Sequence, residues 1–183
     1  FGALFMKSIE TAVLGGGCFW CLDAVFVRLR GLHAVIPGYM GGASDQPTYE
    51  AVCSGLTGHV EVVKVTFTPQ LISFTDLLRI FFTIHDPTTY DRQGADAGSQ
   101  YRLVIFGTSD DQVRSANELI VELDLDGLWD APIVTEVRPA KTFYSAEKYH
   151  HQYYESNRSQ PYCQYVIDPK VTELRNSWAK FLK

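Results

Sequence analysis

Only four of the 183 residues are cysteine, too few and too scattered for the disulfide framework of a small secreted domain. No apolar run approaches the length of a membrane-spanning helix. Cations are outnumbered, 16 Lys and Arg against 21 Asp and Glu, and the net charge of −5 argues against nucleic acid or an anionic membrane as partner. Internal repeats, low-complexity tracts, charge blocks and linkers are all missing, so one catalytic domain is expected over residues 1–183. The start, Phe1 to Lys7, has no basic region ahead of a long apolar stretch. Met6 is read as the natural initiator, with residues 1–5 as an addition, and a cytoplasmic monomer is expected.

What the chain does contain is ordinary in bulk, 46% hydrophobic and 20% charged, but its 13% of aromatics could line a pocket as well as fill a core. Thr11–Leu14 predicts a strand, three glycines follow, and Leu22–Leu29 has helical apolar spacing. Further strands are expected at Leu32–Pro37, His59–Phe67, Tyr101–Phe106 and Pro132–Val137. Helices are expected after the Ser73–Asp76 capping box, after Ser109, over Ala146–Tyr154 and, weakly, from Asp168. Strands interspersed with helices give an α+β fold on a mixed sheet.

Chemistry concentrates at Gly17-Cys18-Phe19-Trp20-Cys21. Cys18 falls where a glycine turn opens a helix, and the unpaired N–H groups and positive dipole end there favour thiolate over thiol. Cys53 reads as a small buried hydrophobe. A structural zinc site would use Cys18 and Cys21, but Cys53 and Cys163 lack the second close pair such sites have. Glu61 alternates onto the face of Val63, Val65 and Phe67. A carboxyl on an apolar face has a raised pKa and can donate a proton near neutral pH; a solvated strand end is the alternative, and the pattern alone supports both.

Gly94 and Gly98 flank Asp96, so a turn could aim its carboxylate inward. Tyr49 lies in a Pro-Thr-Tyr-Glu run, and Tyr101 follows the glycine-rich loop. His150 and His151 are neighbours on a predicted helix, about 100° apart, and are assigned no chemistry. The polar run 156–163 suggests a mobile loop able to carry Cys163 to another thiol, within a mobile C-terminal segment around 156–183.

These motifs together resemble the A-type peptide methionine sulfoxide reductases. The resemblance rests on Gly17-Cys18-Phe19-Trp20, Gly38-Tyr39-Met40-Gly41-Gly42, Thr48-Tyr49-Glu50, Cys53-Ser54-Gly55, Thr57-Gly58-His59-Val60-Glu61, His85-Asp86-Pro87-Thr88, Gly94 to Arg102, and Tyr162-Cys163. It implies a two-layer α+β sandwich with long coil segments. It also implies Cys18 as nucleophile, Glu61 as proton donor, Tyr49, Tyr101 and Asp96 in the site, and Phe19 and Trp20 around the substrate methyl. The implied reaction reduces the S epimer of methionine sulfoxide, in oxidised proteins or peptides and in the free amino acid. It needs no metal or other cofactor, passes through a cysteine sulfenic acid, and is recycled by thioredoxin or another dithiol. Cys163 matches the family's C-terminal resolving cysteine. Cys21 stands where many members have glycine, which makes it a second candidate resolver. A general thiol-disulfide oxidoreductase using Cys18 and Cys21 is the alternative, but it leaves Glu61, Tyr49 and Tyr101 without a role.

Overall fold

The computed structural model describes residues 8–183, so the reading of residues 1–5 lies outside it. Strand β1 (Glu10–Gly15) leads through the glycine turn into helix α1 (Phe19–Phe26), followed by β2 (Leu32–Met40), α2 (Tyr49–Cys53), β3 (Val60–Phe67) and α3 (Phe74–Thr83). A small hairpin, β4 (Arg92–Gln93) and β5 (Asp96–Ala97), precedes a 3₁₀ turn at Ser99–Tyr101, β6 (Val104–Gly107) and α4 (Asp110–Asp126). Then come β7 (Glu136–Pro139), β8 (Tyr144–Ser145), a 3₁₀ turn at Lys148–His150 and α5 (Tyr153–Ser156). A π-helical turn (Cys163–Ile167) runs into α6 (Asp168–Ser177) and a last 3₁₀ turn at Ala179–Phe181.

The main sheet has the order β7-β6-β1-β3-β2-β8. Only β6 and β7 pair in parallel, which makes it the mixed sheet expected. β3 sits centrally because its β-branched run is buried on both faces. Val63, Val65 and Phe67 pack into the large core with α1, α3, α4 and α6, while Val60 and Val62 join Val13, Met40, Val104 and Phe106 on the other face. Glu61 falls on the helix-covered face, as alternation requires.

Several boundaries differ from expectation. α1 begins three residues earlier than its apolar spacing suggested, because Cys18 itself is the N-cap, with extended backbone. Ser73 and Asp76 cap α3 reciprocally, as read from sequence. The predicted helix over Ala146–Tyr154 is broken: Gln152 takes a left-handed conformation (φ 50°, ψ 39°) between the 3₁₀ turn and α5. Of the segment read as a polar loop, residues 158–160 are exposed turn as expected, but helix resumes at 161, and Cys163 turns inward onto the core with Ile167, Val171 and Leu174 beyond it.

Candidate active site

The end of β1 and the start of α1 bring the first reactive group to the sheet surface. Gly17 has φ 87°, and a Cβ there would lie 2.7 Å from the Cβ of Gln93, so only glycine lets the β4–β5 hairpin close over the turn. That hairpin carries Asp96. Cys18 is 8% exposed, and the Cys21 thiol and the Trp20 backbone N–H both bear on its titration. Here the structure corrects the electrostatic expectation. Burial pushes the Cys18 thiol well above its usual range, the Cys21 contact and the Glu61 charge add to this, and the helix-start N–H offsets only part. The same contact lowers Cys21. Cys18 therefore rests as a protonated thiol.

Glu61 is 1% exposed and lies beside it. Its Oε1 accepts the backbone N–H of Phe19 at 3.1 Å, while Oε2 is buried with no partner. Burial, with Asp96 and Cys21 adding to it, pushes the carboxyl up to about 8. It is thus a neutral acid at pH 7, with one oxygen uncommitted.

Tyr49 opens α2, where Thr48 caps the helix by accepting from Ala51 N–H. Glu147 holds the same end: it accepts Tyr49 N–H at 3.1 Å and Tyr39 O–H at 2.9 Å. Tyr101 comes from the 3₁₀ turn after the hairpin. Burial, then the Glu61 charge, raises both the Tyr49 and Tyr101 hydroxyls, so both remain donors at any physiological pH. Asp96 does aim inward, and its Oδ2 accepts the Tyr162 hydroxyl at 2.6 Å. That hydroxyl also lies 3.6 Å from Cys21 Sγ.

Phe19 is fully buried, its ring 6.3 Å from Tyr49 and stacked, 5.7 Å from Tyr39 and 5.0 Å from His150. Trp20 is half-buried and stacks on Tyr153 at 3.7 Å, with Tyr162 edge-on at 5.8 Å. Its indole N–H donates to His150 Nδ1 at 3.0 Å.

His150, Tyr153 and Glu147 were missed by sequence reasoning, and Tyr39 and Tyr162 were named only within motifs, without a role. His150, assigned no chemistry, is buried at the centre of the aromatic cluster. The expected continuous helix hid it, since the break at Gln152 is what turns His150 and Tyr153 to the same indole. Two cysteine expectations also change. Cys53 is exposed at the end of α2, because the short helix lies at the surface and buries only Val52. Cys163 is buried in the π turn rather than carried on an open loop, because the turn packs on α1. All four thiols are free.

A cavity of about 600 Å³, lined by Val27, Arg28, His33, Arg175 and their neighbours, contains none of these residues. Among the described residues, no group of three or more His, Cys, Asp or Glu side chains converges as a metal site requires.

Residues 10–182 match the family described as peptide methionine sulfoxide reductase. A relative from Chromobacterium violaceum, named peptide methionine sulfoxide reductase MsrA, is 49% identical over 175 residues, covering 96% of this chain and 99% of that one. Among solved structures, reduced Mxr1 from Saccharomyces cerevisiae superposes with a TM-score of 0.77 at 31% identity, covering 86% of this chain and 91% of Mxr1. Methionine sulfoxide reductase A of Corynebacterium diphtheriae gives 0.74 at 33% identity, covering 84% and 77%.

Proposed function

The chain belongs to the peptide methionine sulfoxide reductase family, an oxidoreductase family, and from that premise we propose that it reduces the S epimer of methionine sulfoxide with Cys18 as nucleophile and Glu61 as acid. The observation that carries this reading is the buried, uncommitted oxygen of Glu61 beside a buried thiol, in a setting that holds the carboxyl up to about 8. A sulfoxide sulfur is a poor electrophile until its oxygen gains a proton. Glu61 gives that proton as Cys18 attacks, and recovers the one Cys18 releases. Across the step the oxygen passes from the methionine sulfur to Cys18. Two electrons move the other way, leaving methionine and a Cys18 sulfenic acid. Tyr49 and Tyr101 donate hydrogen bonds to the oxygen, and Phe19 and Trp20 wall the methyl group. With the oxygen held by these donors and the methyl held by the wall, the direction in which the rest of the substrate leaves the sulfur is set, and that selects one epimer.

A second thiol then condenses with the sulfenic acid, releasing water, and a dithiol such as thioredoxin reduces the disulfide. The opposed shifts of the two thiols, Cys18 raised and Cys21 lowered by each other, support Cys21 as first partner, ahead of Cys163. Cys21 follows one turn along from the Cys18 N-cap, and its backbone N–H donates to Cys18 O at 3.1 Å, which keeps the two residues adjacent. Cys163 lies close enough to feel the Cys21 charge, which suits it as the second acceptor.

The test is incubation of the protein with each epimer of a methionine sulfoxide peptide and dithiothreitol. Methionine is expected from the S epimer; equal turnover of both epimers, or none, overturns the reading.

A further inference from the structure

Asp23 lies one turn along α1 from Trp20, and nothing in the chemistry above uses it. Its carboxylate is 1% exposed. Oδ2 accepts the backbone N–H of Gln152 at 2.6 Å, and Oδ1 is buried without a partner. Gln152 is one of three non-glycine residues, with Gln46 and Asp91, at positive φ among the described residues, a conformation side chains disfavour, and it caps α5 with no side-chain bond of its own. The two groups that fix Trp20 flank it: His150, which takes the indole N–H, and Tyr153, which stacks on the ring. Helix α1 therefore carries both the pocket wall and the anchor for that wall's supports.

We propose that Asp23 is a positioning residue, whose carboxylate clamps the strained Gln152 turn and through it holds His150 and Tyr153 against Trp20, setting the shape of the substrate's methyl pocket. The proposal rests on Trp20 being that pocket's wall. Without the charge-assisted bond the turn relaxes toward ordinary backbone, and the two supports move off the indole together.

The clamp also has a titration of its own. The charges bearing on Asp23 are Arg28 from α1 and Glu155 from α5, which oppose each other and are paired at 2.5 Å. His151, in the same turn, is engaged by Ala146 O at 3.0 Å. Burial dominates, and pushes the Asp23 carboxyl up to about 7. Above that pH the carboxylate is ionised and the clamp is at its strongest; below it the group is neutral and the bond weakens.

Single-turnover reduction of an S-sulfoxide peptide at varied concentration, from about pH 6 to 8.5, separates binding from chemistry. In the wild type, the apparent dissociation constant is expected to fall as pH rises through about 7. Asp23→Asn keeps the shape but not the charge. It should weaken binding about 5-fold at the upper end, flatten that pH dependence, and leave the maximal rate within about twofold. Adding Gln152→Gly, which takes the left-handed turn without strain, should restore binding. Wild-type affinity in Asp23→Asn overturns the proposal, as does failure of Gln152→Gly to rescue. Should Asp23→Asn not fold, the wild type decides alone: an affinity flat through pH 7 overturns the proposal. A wild type that reduces no sulfoxide would instead remove the functional reading beneath it.

Discussion

At the scale of single residues, the site pairs a thiol and a carboxyl that burial keeps protonated together. Cys18→Ser should abolish turnover, because a hydroxyl is far less nucleophilic than a thiol or thiolate near neutral pH. Residual methionine formation above a few per cent would mean another cysteine starts the reaction. Glu61→Gln should slow the reductase step by roughly 10²–10⁴-fold, the range for a positioned acid, with binding retained. In the wild type that step should fall as pH rises through about 8, where Glu61 ionises. An unchanged rate profile in single-turnover experiments would leave Glu61 outside the reaction. The same burial has a thermodynamic consequence of definite sign. A carboxyl whose folded pKa stands above its unfolded value contributes stability that is full below the unfolded pKa and lost as pH rises through the folded one. Glu61→Gln should therefore melt higher than wild type above pH 8, with the difference shrinking toward the unfolded carboxylate pKa of about 4.3, as calorimetry would record.

Among elements, two close approaches decide whether the residues meet. One is the β4–β5 hairpin over Gly17. Gly17→Ala should lift the hairpin that carries Asp96 and lower kcat/KM for the sulfoxide by about tenfold or more, since a small misplacement of a positioning element is costly. Activity within twofold of wild type would show that Gln93 yields instead. The other is α1 against the π turn. Peptide mapping after one equivalent of sulfoxide, without reductant, should find a Cys18–Cys21 bridge first and a Cys163 bridge later. A Cys18–Cys163 bridge at the earliest time would reverse that order. Much of this was legible beforehand, because strand alternation placed Glu61 and the glycine turn placed Cys18. What could not be read was the break at Gln152 and the inward turn of Cys163. A left-handed glutamine is a tertiary outcome, and a weak apolar period among Cys163, Ile167, Val171 and Leu174 becomes decisive only once α1 is there to receive it.

Across the whole molecule, the sheet divides labour between its faces. The helix-covered face holds the main core and the reactive groups, while a small cluster around Met40, Val62 and Phe106 closes the other. Phe81 links core to site, since its ring is the atom group a Cβ on Gly16 would strike at 2.8 Å. Phe81→Ala should cost about 3–5 kcal/mol in urea unfolding, the usual range for deleting a buried phenylalanine ring. It should also loosen the glycine turn, so that activity declines at lower denaturant than bulk unfolding. Coincident loss of activity and fold would show that the turn stands without that ring.

The depth of Cys18 has one further consequence, which concerns what the protein ignores. A molecule that repairs oxidative damage works where peroxide is present, and peroxide consumes exposed thiolates. A thiol that is 8% exposed and held protonated by its surroundings presents little of the reactive form to a passing oxidant. On the proposed mechanism, its reactivity waits for a sulfoxide whose oxygen meets Glu61. On the same mechanism, the burial that keeps Cys18 protonated also insulates it. Surface-exposed Cys53 is left as the sulfur that an alkylating reagent or peroxide should find first.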